Sequence, residues 1–484
     1  MNFRRGVVVR IEHGKMVALF SAMAVLGSCS FVPDYQRPDP GSPTAFRQSA
    51  SELPRPRKEW WRDFASPELD ALIEKGLANN HDLKAALHRV AQAEAQATSS
   101  RSGLFPLISG YVQHERFGPE GGAGAAVRYN TDWKTSKLTQ GGLRMSYELD
   151  LWGKNRAAAE SAEELVLATE HDRRTVALSL IGDIVTSYFQ YLLALEQMVV
   201  AEDSRQSVRR QLSAVEQRAK VGEATQIEVM QQRTAVAQAD SRIPADGQMS
   251  DQALHRLAVL TGAPPGTLRL EGDKLRVIAV PPVAAGLPSE MLQSRPDIAR
   301  AEAQLRSANA DIGVARAKFL PSFSLTGDGG TASPTLASLL SPAALYLTLL
   351  GSLTQTIFDA GRTAAEVDFN EARFKELAET YQSTVLIALR EVEDALSSSR
   401  RLAEQEASHK ELVAIAKEAH ELSTLSYNAG HLEYLTLLET ERARYQAADN
   451  ALQIRFSRLA AAINLYKALG GMELPAAAGS KGAS

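Results

Sequence analysis

The chain has 484 residues, 44% hydrophobic and 23% charged, with a formal net charge of −4 and one cysteine. That balance excludes a disordered or collagen-like chain. A mean hydropathy of −0.19, with no apolar run of the roughly 18 residues a spanning helix needs, argues against a polytopic helical membrane protein. The acidic balance and the lack of a basic stripe argue against a nucleic-acid partner, and Cys29 alone supplies neither an internal disulfide nor a multi-cysteine zinc site.

Arg4, Arg5, Arg10 and Lys15 precede an apolar stretch from Met16 to Leu26, then Gly27, Ser28 and Cys29. A basic region, a short apolar region and small residues make a secretory signal, too short to remain as a membrane span. Leu26-Gly27-Ser28-Cys29 resembles a bacterial lipobox, whose cysteine is acylated and becomes the first mature residue. By analogy with lipoproteins, Ser30 rather than aspartate after it implies sorting to the outer membrane. Removing residues 1–28 takes four basic residues and Glu12, leaving a net charge of −7.

The remaining chain is written twice. Residues 82–106 match 297–321 at an offset of 215, with Asp82, Ala86, Arg101 and Pro106 on Asp297, Ala301, Arg316 and Pro321. Arg156 matches Arg362 at 206; Gly222 and Gly262 match Gly430 and Gly470 at 208. Each unit has the same order. A helix (67–100 or 289–317) leads to a strand beginning at Phe105-Pro106 or Leu320-Pro321. A Gly-rich loop follows (Gly118 to Tyr129, or Gly327 to Pro342), then a second strand ending near Trp152 or Phe358. A very long helix (155–217 or 362–426) turns at Gly222 or Gly430 into a return helix that ends at Gly262 or Gly470.

Leu143, Met145, Tyr147, Leu149 and Leu151 alternate with Arg144, Ser146, Glu148 and Asp150. Such a strand fits a half-buried sheet or a membrane barrel with a polar interior. Tyr111, Tyr129, Trp133 and Trp152 are candidate interfacial aromatics. Ile181, Val185, Tyr188, Leu192, Leu195 and Val199 follow a heptad rhythm, repeated by Leu412, Ile415, Ala419 and Leu422. About 60 uninterrupted residues make roughly 90 Å of helix, longer than a compact domain holds. Four strands cannot close a membrane barrel; two copies give eight strands, an interior filled by side chains, and three give twelve with room for a passage. If the strands span a membrane, geometry therefore points to a trimer.

Trp60-Trp61 with Pro67, Leu69 and Asn80-His81-Asp82-Leu83 resembles the opening segment of the TolC superfamily, with His81 in place of the usual proline. Arg295-Pro296-Asp297-Ile298, Ile312-Gly313-Val314-Ala315-Arg316 and Phe319-Leu320-Pro321-Ser322 resemble its second-repeat signature, and Ile357-Phe358-Asp359-Ala360-Gly361-Arg362 its strand-to-helix junction. Cys29 with Pro33-Asp34-Tyr35 and Arg37-Pro38 is similar to the acylated NodT/OprM-like outer-membrane factors of RND efflux systems. The resemblance runs from residue 29 to about 472. It implies a mixed α and β protomer, tandem-duplicated, of long antiparallel coiled-coil helices plus four β-strands. Three protomers would form a twelve-stranded outer-membrane barrel continued by a twelve-helix periplasmic barrel. The implied function is a passive exit duct for small molecules, lipid-anchored in the outer membrane and extending into the periplasm. The implied partners are a periplasmic adaptor (membrane fusion protein) and an inner-membrane RND pump; no cofactor is implied.

The hairpin tips lie at Arg218 to Thr225 and Tyr427 to His431. The resemblance implies adaptor docking at Val221, Gly222, Ala429 and Gly430. Leu435 and Glu439, four apart and so on one helix face, fall where OprM-like channels form a periplasmic constriction, an apolar ring and an acidic ring. Tyr427 is a candidate anchor of the closed tip; position 432, where the family places an arginine partner, is Leu. The first-repeat face near Gln231 carries no such acid. The chain lacks G-x-S-x-G, H-E-x-x-H, P-loop and G-x-G-x-x-G patterns, so no enzyme or metal site is expected. Two other readings stand beside the efflux duct: a type I protein-secretion channel and a lipid-tethered coiled-coil scaffold. The expected division is signal 1–28, acylated segment 29–66, first repeat 67–265, linker 266–288, second repeat 289–472 and tail 473–484.

Overall fold

Two helices of 67 residues and two of 35 dominate the molecule. The computed structural model describes residues 30–41, 43–47, 59–117, 136–272, 274–283 and 288–471; Cys29, the signal, Tyr129 and Trp133 lie outside them. After a 3₁₀ turn at Trp60–Phe64, the first repeat runs α1 (Pro67–Asn79), α2 (His81–Ser102), β1 (Leu107–Phe117), β2 (Ser136–Leu149), α3 (Lys154–Lys220) and α4 (Gln226–Leu260). The second runs α5 (Pro288–Ser294), α6 (Pro296–Ala317), β3 (Ser322–Ser333), β4 (Leu345–Thr354), α7 (Arg362–Asn428) and α8 (Tyr434–Ala468). The long helices and their return helices fall where the sequence places them.

By contact the chain divides into two units. The first holds Ala91–Leu167 and Glu302–Glu379 with the chain up to Arg37; the second holds Pro38–Val90, Ala168–Ala301 and the chain from Thr380.

The first unit carries one antiparallel sheet in the order β1-β2-β3-β4, with β1 and β4 at its edges. It corrects two sequence boundaries. Leu151 lies beyond the end of β2, and Gly327, Gly329 and Gly330 lie within β3 rather than in a loop. Those glycines read as a loop because they lack side chains, yet that is what the pairing needs. A Cβ on Gly330 would sit 2.2 Å from the Gly141 carbonyl oxygen, and one on Gly142 would sit 2.4 Å from that of Gly329. Residues 30–37 lie along α6. The Asn309 side chain donates to the Pro33 carbonyl at 2.7 Å, Arg37 pairs with Glu302, and the Arg306 guanidinium lies 5.3 Å from the Tyr35 ring centre. A Cβ on Gly313 would fall 2.9 Å from the Val32 Cα, so glycine is what lets the strap lie down there.

The second unit is built on an aromatic core. Trp60 stacks on Tyr466 at 4.8 Å, and Phe64 meets Phe189 edge-on at 5.2 Å. Ile181, Val185, Tyr188 and Leu192 are fully buried, as the heptad spacing requires, but Val199 is 62% exposed and ends the seam. Leu412, Ile415 and Leu422 are likewise exposed within the chain. By length and composition α3 could cross a membrane, but the apolar window is mostly buried inside protein; it reads as a core helix.

The opening helix of each repeat is broken, not continuous, at Asn80 and at Arg295. Asn80 caps α2 by accepting from the Leu83 amide at 2.9 Å, and donates to the Leu260 carbonyl at 3.0 Å. Arg295 precedes a proline, which disfavours helical backbone, and donates to the Ala468 carbonyl at 2.9 Å. Both breaks thus dock on the C-terminus of the return helix of their own repeat. Gly262 and Gly470, at φ +71° and +73°, complete the docking; a Cβ there would meet the Asn79 oxygen at 2.6 Å or the Ser294 oxygen at 2.8 Å.

Candidate functional site

Two surfaces, one in each unit, carry the residues with a functional reading. The first is the sheet. Its register puts Ile108, Val112, Leu143, Leu347 and Leu349 on one face, each 62–86% exposed. Tyr147, Met145, Gly327 and Gly329 share that face. The opposite face carries Ser109, Tyr111, Gln113, Glu115, Gln140, Arg144, Ser146, Glu148, Ser324, Thr326, Asp328, Tyr346, Thr348 and Ser352, with Leu107, Phe117, Leu138, Ala332 and Leu350 as exceptions. An exposed apolar sheet face of this extent is not a water-facing surface; apolar outward and polar inward is the pattern of a barrel wall in lipid. Tyr111, a candidate interfacial aromatic, lies on the polar face and donates to Asp328 at 2.7 Å. Trp152 donates its indole N–H to the Pro321 carbonyl at 2.7 Å.

The second surface is the pair of hairpin tips. Each long helix ends in the same Schellman motif. The Glu223 amide reaches back to the Arg218 carbonyl and the His431 amide to that of Ser426, both at 2.9 Å, around Gly222 (φ +80°) and Gly430 (φ +76°). Thr225 and Glu228 then form a capping box that starts α4. A Cβ at either glycine would meet nothing within 4 Å, and Val221 and Ala429 are exposed. These four candidate docking residues therefore form open surface.

Behind the tips, Val208, Val215, Val229, Tyr427, Tyr434, Leu437 and Leu438 make a small apolar cluster joining both hairpins. Fully buried Gln232 ties it together, donating to the Val208 carbonyl at 2.7 Å and accepting from the Tyr434 hydroxyl. Tyr427 is buried and packs edge-on against Tyr434 at 6.1 Å. Burial pushes the phenols of both Tyr427 and Tyr434 up. Arg218 lies 4.8 Å from the Tyr427 ring centre and donates to the Tyr427 carbonyl at 3.4 Å. Arg218 belongs to the other hairpin, so this contact leaves no local signal in the sequence. Leu435 (52% exposed) and Glu439 point away from the cluster on the exposed face of α8. At the repeat offset of 208 their counterparts are Ile227, 69% exposed, and Gln231.

Two residues beyond Glu439, on the buried side of α8, sits a node that no motif in the sequence marks. Glu441, 2% exposed, accepts from Ser204 at 2.9 Å, Ser207 at 3.1 Å and Arg444 at 3.1 Å, and lies 3.0 Å from His420 Nε2. Arg444 also donates to Asp203 at 2.7 Å. The node joins α3, α7 and α8. Burial alone would raise the Glu441 carboxyl, but hydrogen bonds from His420 and Arg444 outweigh it and hold the group down to about 2.

Residues 72–263 and 287–471 both match the profile of the outer membrane efflux protein family. The chain belongs to that family. It is 37% identical over 466 residues to the pyoverdine export outer membrane protein OpmQ of Pseudomonas aeruginosa, covering 94% of this chain and 97% of the relative. It is 32% identical over 468 residues to the solvent efflux pump outer membrane protein SrpC of Pseudomonas putida, covering 93% and 97%. Its fold matches the open state of the Neisseria gonorrhoeae MtrE outer membrane channel with a TM-score of 0.83, 29% identity, and coverage of 91% of this chain and 98% of that one. The chain is thus an outer-membrane efflux protein, a channel component and not an enzyme, and the free scaffold reading falls.

Glu441→Gln tests the node. A carboxyl held below its ordinary range of about 4.5 stabilises the fold fully above that range, and loses the effect as pH falls through about 2. Removing one partner of a buried pair costs about 3 kcal/mol or more. At pH 7 amides of α7 and α8 around the node should exchange with deuterium roughly 100-fold faster in the variant. The gap should narrow as the pH drops below about 4.5. Equal exchange at pH 7 would show that the node carries no load.

Proposed function

We propose that the protein is the exit duct of a tripartite RND-type efflux system, a homotrimer that passes small molecules from an inner-membrane pump and its periplasmic adaptor to the exterior. The observation that carries it is the four-stranded sheet, with an exposed apolar face, a polar face, and edge strands β1 and β4. In hydrocarbon, unpaired edge amides cost several kcal/mol each, so the edges must meet those of other copies. Closure by three copies gives twelve strands and leaves a passage; closure by two gives a filled interior. Relatives named for pyoverdine and for solvent align with nearly the whole chain, which supports a duct that reads size and charge more than chemical identity. The chain performs no energy-coupled step in this reading.

Val221, Gly222, Ala429 and Gly430 dock the adaptor. Bare backbone at both glycines and exposed small side chains let another helical hairpin approach closely. Leu435 and Glu439 form the periplasmic gate. Threefold symmetry brings three leucines into a ring that resists wetting and three carboxylates into a ring that attracts cations. Tyr427, fixed by Arg218 and Tyr434, anchors the hairpin that carries them. Cys29 is acylated, and residues 30–37 hold the anchored end against the unit that contains the sheet.

Three measurements test this reading. Detergent-extracted protein should have the mass of three chains; a monodisperse monomer with intact circular dichroism would refute closure. Cells fed a clickable fatty acid should label the parent and leave Cys29→Ser unlabelled; equal labelling would remove the anchor. In planar bilayers, replacing Leu435 and Glu439 together with alanine should raise single-channel conductance several-fold, by the order of ~3, and weaken block by divalent cations. Gln231→Ala should change little. A double variant that conducts like the parent, with Gln231→Ala opening the channel, would assign the gate to the other hairpin.

A further inference from the structure

The polar face of the sheet holds a cluster that crosses all four strands. Tyr111 on β1, Gly142 on β2, Gly330 on β3 and Tyr346 on β4 are aligned partners in one row. Ser109, Arg144, Asp328 and Thr348 form the adjacent row. Tyr111 and Tyr346 flank three strand spacings, about 14 Å in a flat sheet, near the combined reach of two phenol side chains. Their hydroxyls meet, because the two residues between them are glycines and leave the backbone bare. Both phenols donate to Asp328 Oδ1, at 2.7 and 2.8 Å. Arg144 takes the other carboxylate oxygen through two donors at 2.8 and 3.0 Å, and its guanidinium lies 4.8 Å from the Tyr111 ring centre.

The pair is balanced in charge and unequal in exposure. The Asp328 side chain is 16% exposed, covered by the two phenols and the guanidinium; that of Arg144 is 49% exposed. A passing ion meets the cation and not the carboxylate. The other strand-paired residues of these rows are neutral: Ser109, Thr348 and the glycines. Among the described residues, Glu115 and Glu148 share the polar face but lie in other rows, and Glu148 pairs with Lys154. A fixed, half-exposed guanidinium in these two rows is a selectivity element of the kind found where charged side chains ring a pore.

We propose that Arg144, held by Asp328, Tyr111 and Tyr346, forms a collar inside the barrel that favours anionic solutes, distinct from the helical gate at Leu435 and Glu439. The proposal rests on the exit-duct reading, in which the polar face lines the passage and three collars share one level. Asp328 is a positioning residue: it orients the guanidinium and neutralises the pair. Removing Arg144 uncovers a carboxylate, and neutralising Asp328 leaves an uncompensated cation, so the two changes shift selectivity in opposite directions.

The full-length protein, reconstituted in planar bilayers under a potassium chloride gradient, tests this through the ratio of cation to anion permeability. Arg144→Gln should raise the ratio by about twofold or more, and Asp328→Asn should lower it by a similar factor. The double variant Arg144→Gln/Asp328→Asn should fall between them. Arg144→Lys, which keeps the charge, should stay near the parent. A purely structural role would alter yield or heat stability and leave the ratio unmoved in every variant that conducts. Because Arg144 is half exposed, Arg144→Gln is the variant that should assemble even if Asp328→Asn does not. Its unchanged ratio in a conducting channel overturns the collar and leaves the duct standing. A protein that forms trimers but passes no current even with Leu435 and Glu439 replaced by alanine refutes the duct, and the collar with it.

Discussion

Backbone meeting backbone at two glycines sets the geometry of the helical unit. Gly262 and Gly470 end the return helices in a left-handed conformation and lie against the last turn of the preceding broken helix of the same repeat, at Asn79 and Ser294. Asn80 and Arg295 reach across the same gap to the terminal carbonyls of those helices. Helix ends leave carbonyls without partners; here the cap amides take most of them, and the break in another helix takes the carbonyl of Leu260 or of Ala468. The long hairpins are thereby held at their base, and the position of their tips follows from it. Any side chain at either glycine would push the base apart and be felt at the far end of a lever of some 35 residues.

The sheet obeys a different constraint. Its apolar face excludes water, its polar face excludes lipid, and its edges require further strands. No set of contacts within one chain meets all three demands, so the protomer is incomplete in the unit that faces the membrane. The same incompleteness marks the helices, where Leu412, Ile415 and Leu422 keep a heptad rhythm on an exposed face. Periodicity states that such residues form a seam, but not whose seam it is. Ile181 to Leu192 close theirs inside the chain.

Much of this was legible in the sequence, for identifiable reasons. The internal offsets revealed a duplicated order of elements, and the long helices stood out because their apolar rhythm runs for dozens of residues between two glycine turns. The strand pair around Leu143 was legible from strict alternation. Gly327 to Gly330 misled, since glycine signals a loop unless one knows that Gly141 and Gly142 lie opposite. The break at Asn80 has a local sign, the cap on the Leu83 amide, but the Leu260 carbonyl that Asn80 also holds lies 180 residues away and leaves none. Leu435 and Glu439 could be placed on one face by spacing. The surrounding support could not, because Arg218, Gln232 and the Glu441 node act between hairpins. Side chains that meet across a fold leave no spacing to read.

The N-terminal strap closes on a partner far along the chain: Pro33 is held by Asn309, 276 positions later. Contacts of such separation form late, because the loop they close must be ordered first. The strap cannot seat until α6 exists as a helix, and α6 belongs to the second repeat. Synthesis runs in the opposite direction, so the first residues made are among the last to find their place. A seated strap therefore serves as a seal of completion. It reports at one end of the chain that α6 has formed, and a chain whose α6 is missing or misfolded would leave residues 30–37 without these partners.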